Sequence, residues 1–277
     1  MNAKNYFLSF LFSIVFISCS SSKYFYQVCK TTPDSNISMK ENLLVYEDAN
    51  CKVSYNLWVE GGNVGFQFYN KTESNIYLNL EECFFISNGM ANNYFKNRVY
   101  TTSTNIGSSQ SIAKSISGIN YLKLDQTNSA SLNTISTNGI SISSNEDKIV
   151  CIPSLTSKIV KEYSINQTPY RDCDLLRFPD KKELKTLSFK LTNSPIVFSN
   201  KIEYKVGQSG NPIKFENKFF VSEITNYPKS EIIESKFDTY CGENISSDDN
   251  KKTDYFKKVS PDKFYTKYIW GFGELKH

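Results

Sequence analysis

The sequence predicts an all-β fold, an antiparallel Ig-like β-sandwich, and three observations carry that expectation. Apolar and polar residues alternate at period two in several short runs, the pattern of half-buried strands. The 277 residues include 18 Tyr and 20 Phe, and β-branched residues recur throughout, a composition that suits strands. Gly, Asn and Ser cluster between the runs as turn signals, and helical periodicity is scarce. The Cys-Trp-Cys spacing of true immunoglobulin domains is not evident, so Ig-like describes architecture only.

The clearest run lies between Cys51 and Ile86. Cys51, Val53, Tyr55, Leu57 and Val59 alternate with Lys52, Ser54, Asn56, Trp58 and Glu60, and Val64, Phe66 and Phe68 continue the pattern. A two-residue turn at Gly61-Gly62 sets Val59 opposite Val64, Leu57 opposite Phe66 and Tyr55 opposite Phe68. The same register lays Trp58 across from Gly65, shielding its backbone. Beyond the polar loop 70–75, Leu78, Leu80, Glu82, Phe84 and Ile86 read as another strand, and Asn88-Gly89 as a tight turn. Further strands are expected at 149–152, 159–165, 187–191, 196–206 and 213–221.

Two segments differ in character. Between Thr101 and Asn145, 24 of 45 residues are Ser, Thr or Asn, too little apolar surface to offset an ordering entropy of about 1–2 kcal/mol per residue. The expected organisation is therefore a sandwich over residues 19–235 with a flexible insertion at 101–147. A C-terminal extension, 236–277, carries Tyr255, Phe256, Phe264, Tyr265, Tyr268, Trp270 and Phe272, too many rings to leave in water. It is expected to pack on the sandwich as a short helix and a final strand. Tyr265, Tyr268 and Trp270 are also candidates for a platform that stacks glycan rings.

Composition excludes several functions. The net charge of +4 falls to +3 once residues 1–18 are removed, so no domain-scale basic patch is implied and nucleic acid is not an expected partner. The single histidine is His277, which removes the internal imidazole that serine, cysteine and many metal-dependent hydrolases use. No Walker loop, GxSxG or dinucleotide fingerprint occurs, and the residues imply no cofactor. Carboxylate chemistry remains: Asp172 and Asp174 flank Cys173, whereas Glu81 and Glu82, as strand neighbours, would point to opposite faces. Asp248-Asp249-Asn250 offers oxygen ligands but lacks the glycine and terminal Glu of an EF-hand loop. Cys29, Cys51, Cys83, Cys151, Cys173 and Cys241 contain no CxxC, and fit either three disulfides or free thiols buried in strands.

The N-terminus speaks of location. Lys4 precedes an apolar run, Tyr6–Ile17, that is too short to span a bilayer and fits the apolar region of a signal peptide. It ends in Phe16-Ile17-Ser18-Cys19 and is followed by Ser20-Ser21-Ser22, a flexible tether. This resembles the lipobox of bacterial lipoproteins. The resemblance implies cleavage before Cys19, lipid attachment to its thiol and, with Ser20 rather than Asp following, an outer-membrane destination. The runs Glu60-Gly-Gly-Asn-Val-Gly-Phe-Gln-Phe-Tyr-Asn-Lys-Thr72 and Ile76-Tyr-Leu-Asn-Leu-Glu-Glu82 are similar to a segment of uncharacterised Bacteroidota-type cell-envelope lipoproteins. That likeness implies a β-sandwich body and brings no catalytic residues. The expectation is a non-enzymatic, lipid-anchored binding or scaffolding module whose partners are the membrane and envelope proteins or glycans. The alternatives are a glycan-binding accessory protein and a carboxylate-dependent glycan hydrolase.

Overall fold

The computed structural model describes residues 23–104, 140–237, 239–240, 243–244 and 252–271. The chain divides into two compact units, one of residues 95–148 and one of the chain on either side of it. In chain order the strands begin with β1 (Tyr24–Pro33), β2 (Ile37–Lys40), β3 (Leu43–Glu47), β4 (Cys51–Tyr55), β5 (Phe66–Asn70), β6 (Ile76–Asn79), β7 (Phe84–Ser87) and β8 (Met90–Asn93). They continue with β9 (Val99–Thr104), β10 (Ile140–Asn145), β11 (Ile149–Ile152), β12 (Ser157–Val160), β13 (Thr186–Ser188), β14 (Val197–Val206) and β15 (Ile213–Pro228). A single-turn helix, α1 (Lys229–Ile232), precedes β16 (Ile233–Lys236), β17 (Thr239–Tyr240), β18 (Glu243–Asn244), β19 (Thr253–Phe256) and β20 (Lys263–Ile269).

The fold is all-β, antiparallel and sandwich-like. A large sheet follows the path β11-β6-β14-β15-β1-β20, with β7 and β8 beside β14 and β13 beside β15. A small sheet has the order β12-β5-β4-β3-β2. Rings join the two: Tyr55 meets Phe219 at 5.3 Å, Phe68 meets Tyr204 at 5.4 Å, and Tyr46 stacks on Phe215 at 4.3 Å. Each such ring, taken from water, contributes about 1.5–3 kcal/mol.

β1 was not legible as a strand. Phe25, Tyr26, Gln27, Val28 and Cys29 are buried in succession, because β15 and β20 flank the strand and both of its faces are covered. Tyr26 and Val28 pack on Ile232 and Ile233, and Phe25 on Phe178 and Tyr268. The final strand, β20, is correspondingly a member of the large sheet. Among the described residues no helix follows position 235 and α1 comes earlier; positions 245–251 and 272–277 of the extension lie outside them.

The register expected for the Gly61-Gly62 hairpin is corrected by two residues. Tyr55 faces Phe66 and Val53 faces Phe68, so the apolar face is kept while residues 56–65 leave the ladder. Their backbone groups bond elsewhere: Leu57 N–H donates to the Pro261 carbonyl at 3.0 Å, and Gly61 N–H to that of Tyr265 at 2.8 Å. Ile165 N–H in turn reaches the Gly61 carbonyl at 2.9 Å. Trp58 does not cover Gly65; it packs on Phe256 and Tyr265, each at 5.2 Å. Gly65 is needed because a Cβ there would stand 2.8 Å from the Val160 carbonyl oxygen.

The strand expected from Leu78 to Ile86 is also corrected. A 3-10 turn, Leu80–Glu82, separates β6 from β7, with the Asn79 side chain accepting from Glu81 N–H at 3.3 Å. The turn shifts the alternation by one, so Phe85 is buried while Phe84 and Ile86 are half-buried. Glu81 and Glu82 therefore lie in a turn rather than a strand.

In the 95–148 unit, β9 pairs with β10, so both ends of the Ser/Thr/Asn-rich stretch are laddered. Glu146 closes the base of this hairpin, pairing with Arg98 Nη2 at 2.5 Å and accepting from Lys96 N–H at 2.9 Å. The rest of the expected flexible insertion, 105–139, lies outside the described residues.

Gly62 sits at φ +76° with its would-be Cβ 2.6 Å from Ile165 Cδ1, whereas Gly89, at φ +82°, has nothing within 4 Å. Gly62→Ala is expected to lower the unfolding free energy by about 2–4 kcal/mol and Gly89→Ala by about 1–2 kcal/mol. Urea unfolding midpoints measure both, and equal losses would show that Ile165 does not pack on Gly62.

Candidate functional site

Strand alternation gives the small sheet a polar outer face behind its aromatic inner one. The pairing of β12, β5, β4 and β3 aligns Ser157, Tyr69, Lys52 and Glu47 in one row. The next row is Ile159, Gln67, Ser54 and Val45. Most of these side chains line a cleft of about 440 Å³. Lys52 Nζ lies 5.8 Å from the centre of the Tyr69 ring, Ser54 is buried, and Gln67 and Ser157 are exposed.

Glu47 is charge-balanced by Lys40 at 3.0 Å and Lys71 at 2.9 Å. The hydrogen bonds from Lys71 and Lys40 bring its carboxyl down to about 2. A carboxylate so held stays ionised at neutral pH and is poorly suited to exchanging protons. The cleft therefore offers a hydroxyl, an amide and an aromatic ring beside the charged Lys40, Glu41, Glu47 and Lys52, groups that hydrogen-bond and stack a polar ligand.

The residues singled out from the sequence do not form one platform. Tyr265 and Tyr268 point to opposite faces of β20 because they are an odd number of residues apart. Tyr265 packs on Phe256 at 4.5 Å and Tyr26 at 6.0 Å. Tyr268 is buried, and its hydroxyl donates to the Arg177 carbonyl at 2.6 Å. Trp270 is exposed at the strand's end, 6.2 Å from Phe178. Cys19 and Asp248-Asp249-Asn250 lie outside the described residues.

Asp172 accepts from Tyr170 Oη at 3.0 Å and from Asp174 N–H at 2.8 Å, so both of its oxygens are engaged in a turn. Asp174 is exposed and pairs with Lys185 at 3.6 Å. Cys29, Cys51, Cys83, Cys151 and Cys173 are free thiols; Cys241 lies outside the described residues. Burial pushes Cys29 and Cys83 up to about 12, leaving both as inert core groups. Glu82 pairs with Lys214 at 3.2 Å. Lys214 also holds the buried Glu203 at 2.7 Å. Burial pushes the Glu203 carboxyl up, but bonds from Lys214 and Asn79 bring it below the ordinary range.

The sequence reading missed the cleft because Lys52, Ser54 and Gln67 form the polar half of an alternation, which reads as plain solvent side. Only the register aligns them with Glu47 and Ser157. Comparison with protein-family models, curated proteins and solved structures finds no match for this chain.

The Glu47 pairs set a pH dependence. A lowered carboxyl stabilises the fold above the ordinary carboxylate range, and that contribution disappears as pH falls towards about 2. Glu47→Gln is thus expected to be less stable than the parent at pH 7, with the gap shrinking as pH falls to about 2. Denaturant midpoints across that range check this, and a gap of undiminished size at pH 2 refutes the assignment.

Proposed function

We propose that this protein is a lipid-anchored, non-enzymatic binding module of a bacterial outer membrane, presenting the cleft of its small sheet to a polar envelope ligand. The observation that carries the proposal is the Tyr6–Ile17 apolar run ending at Ser18-Cys19, five residues before Tyr24. Acylation at Cys19 with two or more chains is enough for stable anchorage. Among the described residues no helix is long and apolar enough to cross a membrane.

A glycan is the ligand class the cleft chemistry favours. Tyr69 supplies a ring face for a sugar, and the exposed Gln67 and Ser157 supply hydrogen-bonding groups of the kind that sugar hydroxyls match. A hydrolase working through Asp172 and Asp174 is the weaker reading, because Asp172 is committed to Tyr170 and the Asp174 backbone.

Feeding cells a labelled fatty acid tests the anchor. The label is expected on the wild-type protein and absent from Cys19→Ala, which should move from the membrane to the soluble fraction. An unlabelled wild type retaining residues 1–18 overturns the proposal. For the ligand, retention by envelope polysaccharides in affinity electrophoresis is expected to fall about tenfold in Tyr69→Ala, the scale of losing one stacked ring. Release of reducing ends that is lost in Asp172→Asn establishes the hydrolase instead.

A further inference from the structure

The tether implied by lipid attachment is short. Cys19 is five residues from Tyr24, and an extended chain spans at most about 3.6 Å per residue. The start of β1 is therefore held within about 18 Å of the anchored cysteine. The same end of the large sheet receives the end of β20, since Tyr24 pairs with Ile269 and Trp270 N–H donates to the Lys23 carbonyl at 3.0 Å.

The side chains gathered there are those that favour a membrane interface. Ile269 is 47% exposed and Trp270 is 45% exposed, although neither lies on a surface remote from the tether. Lys23 Nζ stands 5.5 Å from the Trp270 ring, and Lys267 Nζ 4.2 Å from the Tyr24 ring; both lysines are exposed. Two acids of the neighbouring elements are already neutralised, Asp254 by Lys229 at 2.6 Å and Glu231 by Lys181 at 3.1 Å. The tip is thus aromatic and apolar, with Lys23 and Lys267 beside its rings. Trp and Tyr rings settle at headgroup depth, and lysines beside them draw to anionic phosphates within a Debye length of about 8–10 Å.

We propose, resting on lipid anchorage at Cys19, that this end of the large sheet is a membrane-docking surface. Trp270 and Ile269 enter the headgroup layer of an anionic bilayer, and Lys23 and Lys267 sit on its phosphates. The short tether keeps the surface at high effective concentration beside the bilayer, so contacts too weak to bind alone suffice to orient the body. The anchor supplies affinity and the surface supplies orientation.

The test uses the full lipidated protein reconstituted in vesicles of phosphatidylethanolamine and phosphatidylglycerol that carry brominated acyl chains. The chain has two tryptophans, so Trp58→Phe reports on Trp270 alone and Trp270→Phe on Trp58 alone. Fluorescence of the Trp270-only protein is expected to fall by about half or more, the depth range of interfacial indoles, while that of the Trp58-only protein holds. Adding Lys23→Glu and Lys267→Glu should restore the Trp270 signal without releasing the protein from the vesicles. Acylated, vesicle-bound protein whose Trp270 is unquenched overturns the docking surface and leaves anchorage standing. Protein whose intact mass carries no acyl group overturns both.

Discussion

The double pairing of β1 is the constraint on which the rest of the structure depends. One ten-residue strand bonds on one edge to β15 and on the other to β20, joining the beginning of the described chain to its end. Thr31 Oγ1 donates to the Asp262 carbonyl at 2.8 Å across 231 residues of sequence. Loop-closure entropy grows only logarithmically with such separation, so the cost to stability is modest, but contacts of this range fold slowly. β1 also organises its surroundings. Gln27 Nε2 donates to Asn226 Oδ1 and to the Tyr170 carbonyl, both at 2.9 Å, and its own oxygen accepts from Tyr170 N–H at 2.6 Å. A buried amide satisfied from both sides fixes where the 165–178 segment lies over the strand.

Between the sheets the core combines apolar mass with a few polar locks. Asn200 and Asn217 are paired across β14 and β15, and both are buried. Asn217 Nδ2 donates to Tyr55 Oη at 2.7 Å, while Tyr94 Oη donates to Asn200 Oδ1 at 2.7 Å and Asn200 Nδ2 to the Val64 carbonyl at 2.8 Å. Aromatic burial alone would tolerate a two-residue slide of the small sheet, since the parity of its faces would survive. The asparagine bonds do not tolerate it, because each would leave a buried donor unmatched at a cost of about 1–3 kcal/mol. One atom, Asn217 Oδ1, is buried without a partner, so this specificity carries a residual strain.

What was legible in the sequence follows from which signals are local. The alternation of Cys51, Val53 and Tyr55 with Lys52 and Ser54 reports one buried face, and β4 obeys it. The partner of Tyr55 was not local: Gly61 and Gly62 both adopt φ +76°, as a tight turn would ask, yet Pro261, Tyr265 and Ile165 draw the loop's backbone away. Leu80–Glu82 misled for a related reason, since an apolar residue followed by two acids suits an alternating strand and a capped 3-10 turn alike. β1 gave no alternation because it has no wet face. The cleft was invisible because no local pattern distinguishes a polar face that is merely solvated from one whose rows converge, and Glu47 joins it only through tertiary pairing.

The same geometry separates the proposed anchor point from the cleft. Pro228 of β15 stands beside Phe25, near the start of β1, and Phe219 stands beside Pro33. With a rise of about 3.3 Å per residue, Pro33 lies about 30 Å along the sheet from Tyr24. The small sheet packs on the portion of β14 and β15 at and beyond that level, through Tyr55 on Phe219, Tyr46 on Phe215 and Phe68 on Tyr204. The cleft occupies the reverse face of those same small-sheet strands. The strands that carry the cleft therefore pack about 30 Å or more along the large sheet from its β1/β20 end. Sites so far apart, with no shared partners, act on stability and binding almost independently. Substitutions in the cleft and at the β1/β20 end should thus separate the proposed binding from the proposed docking.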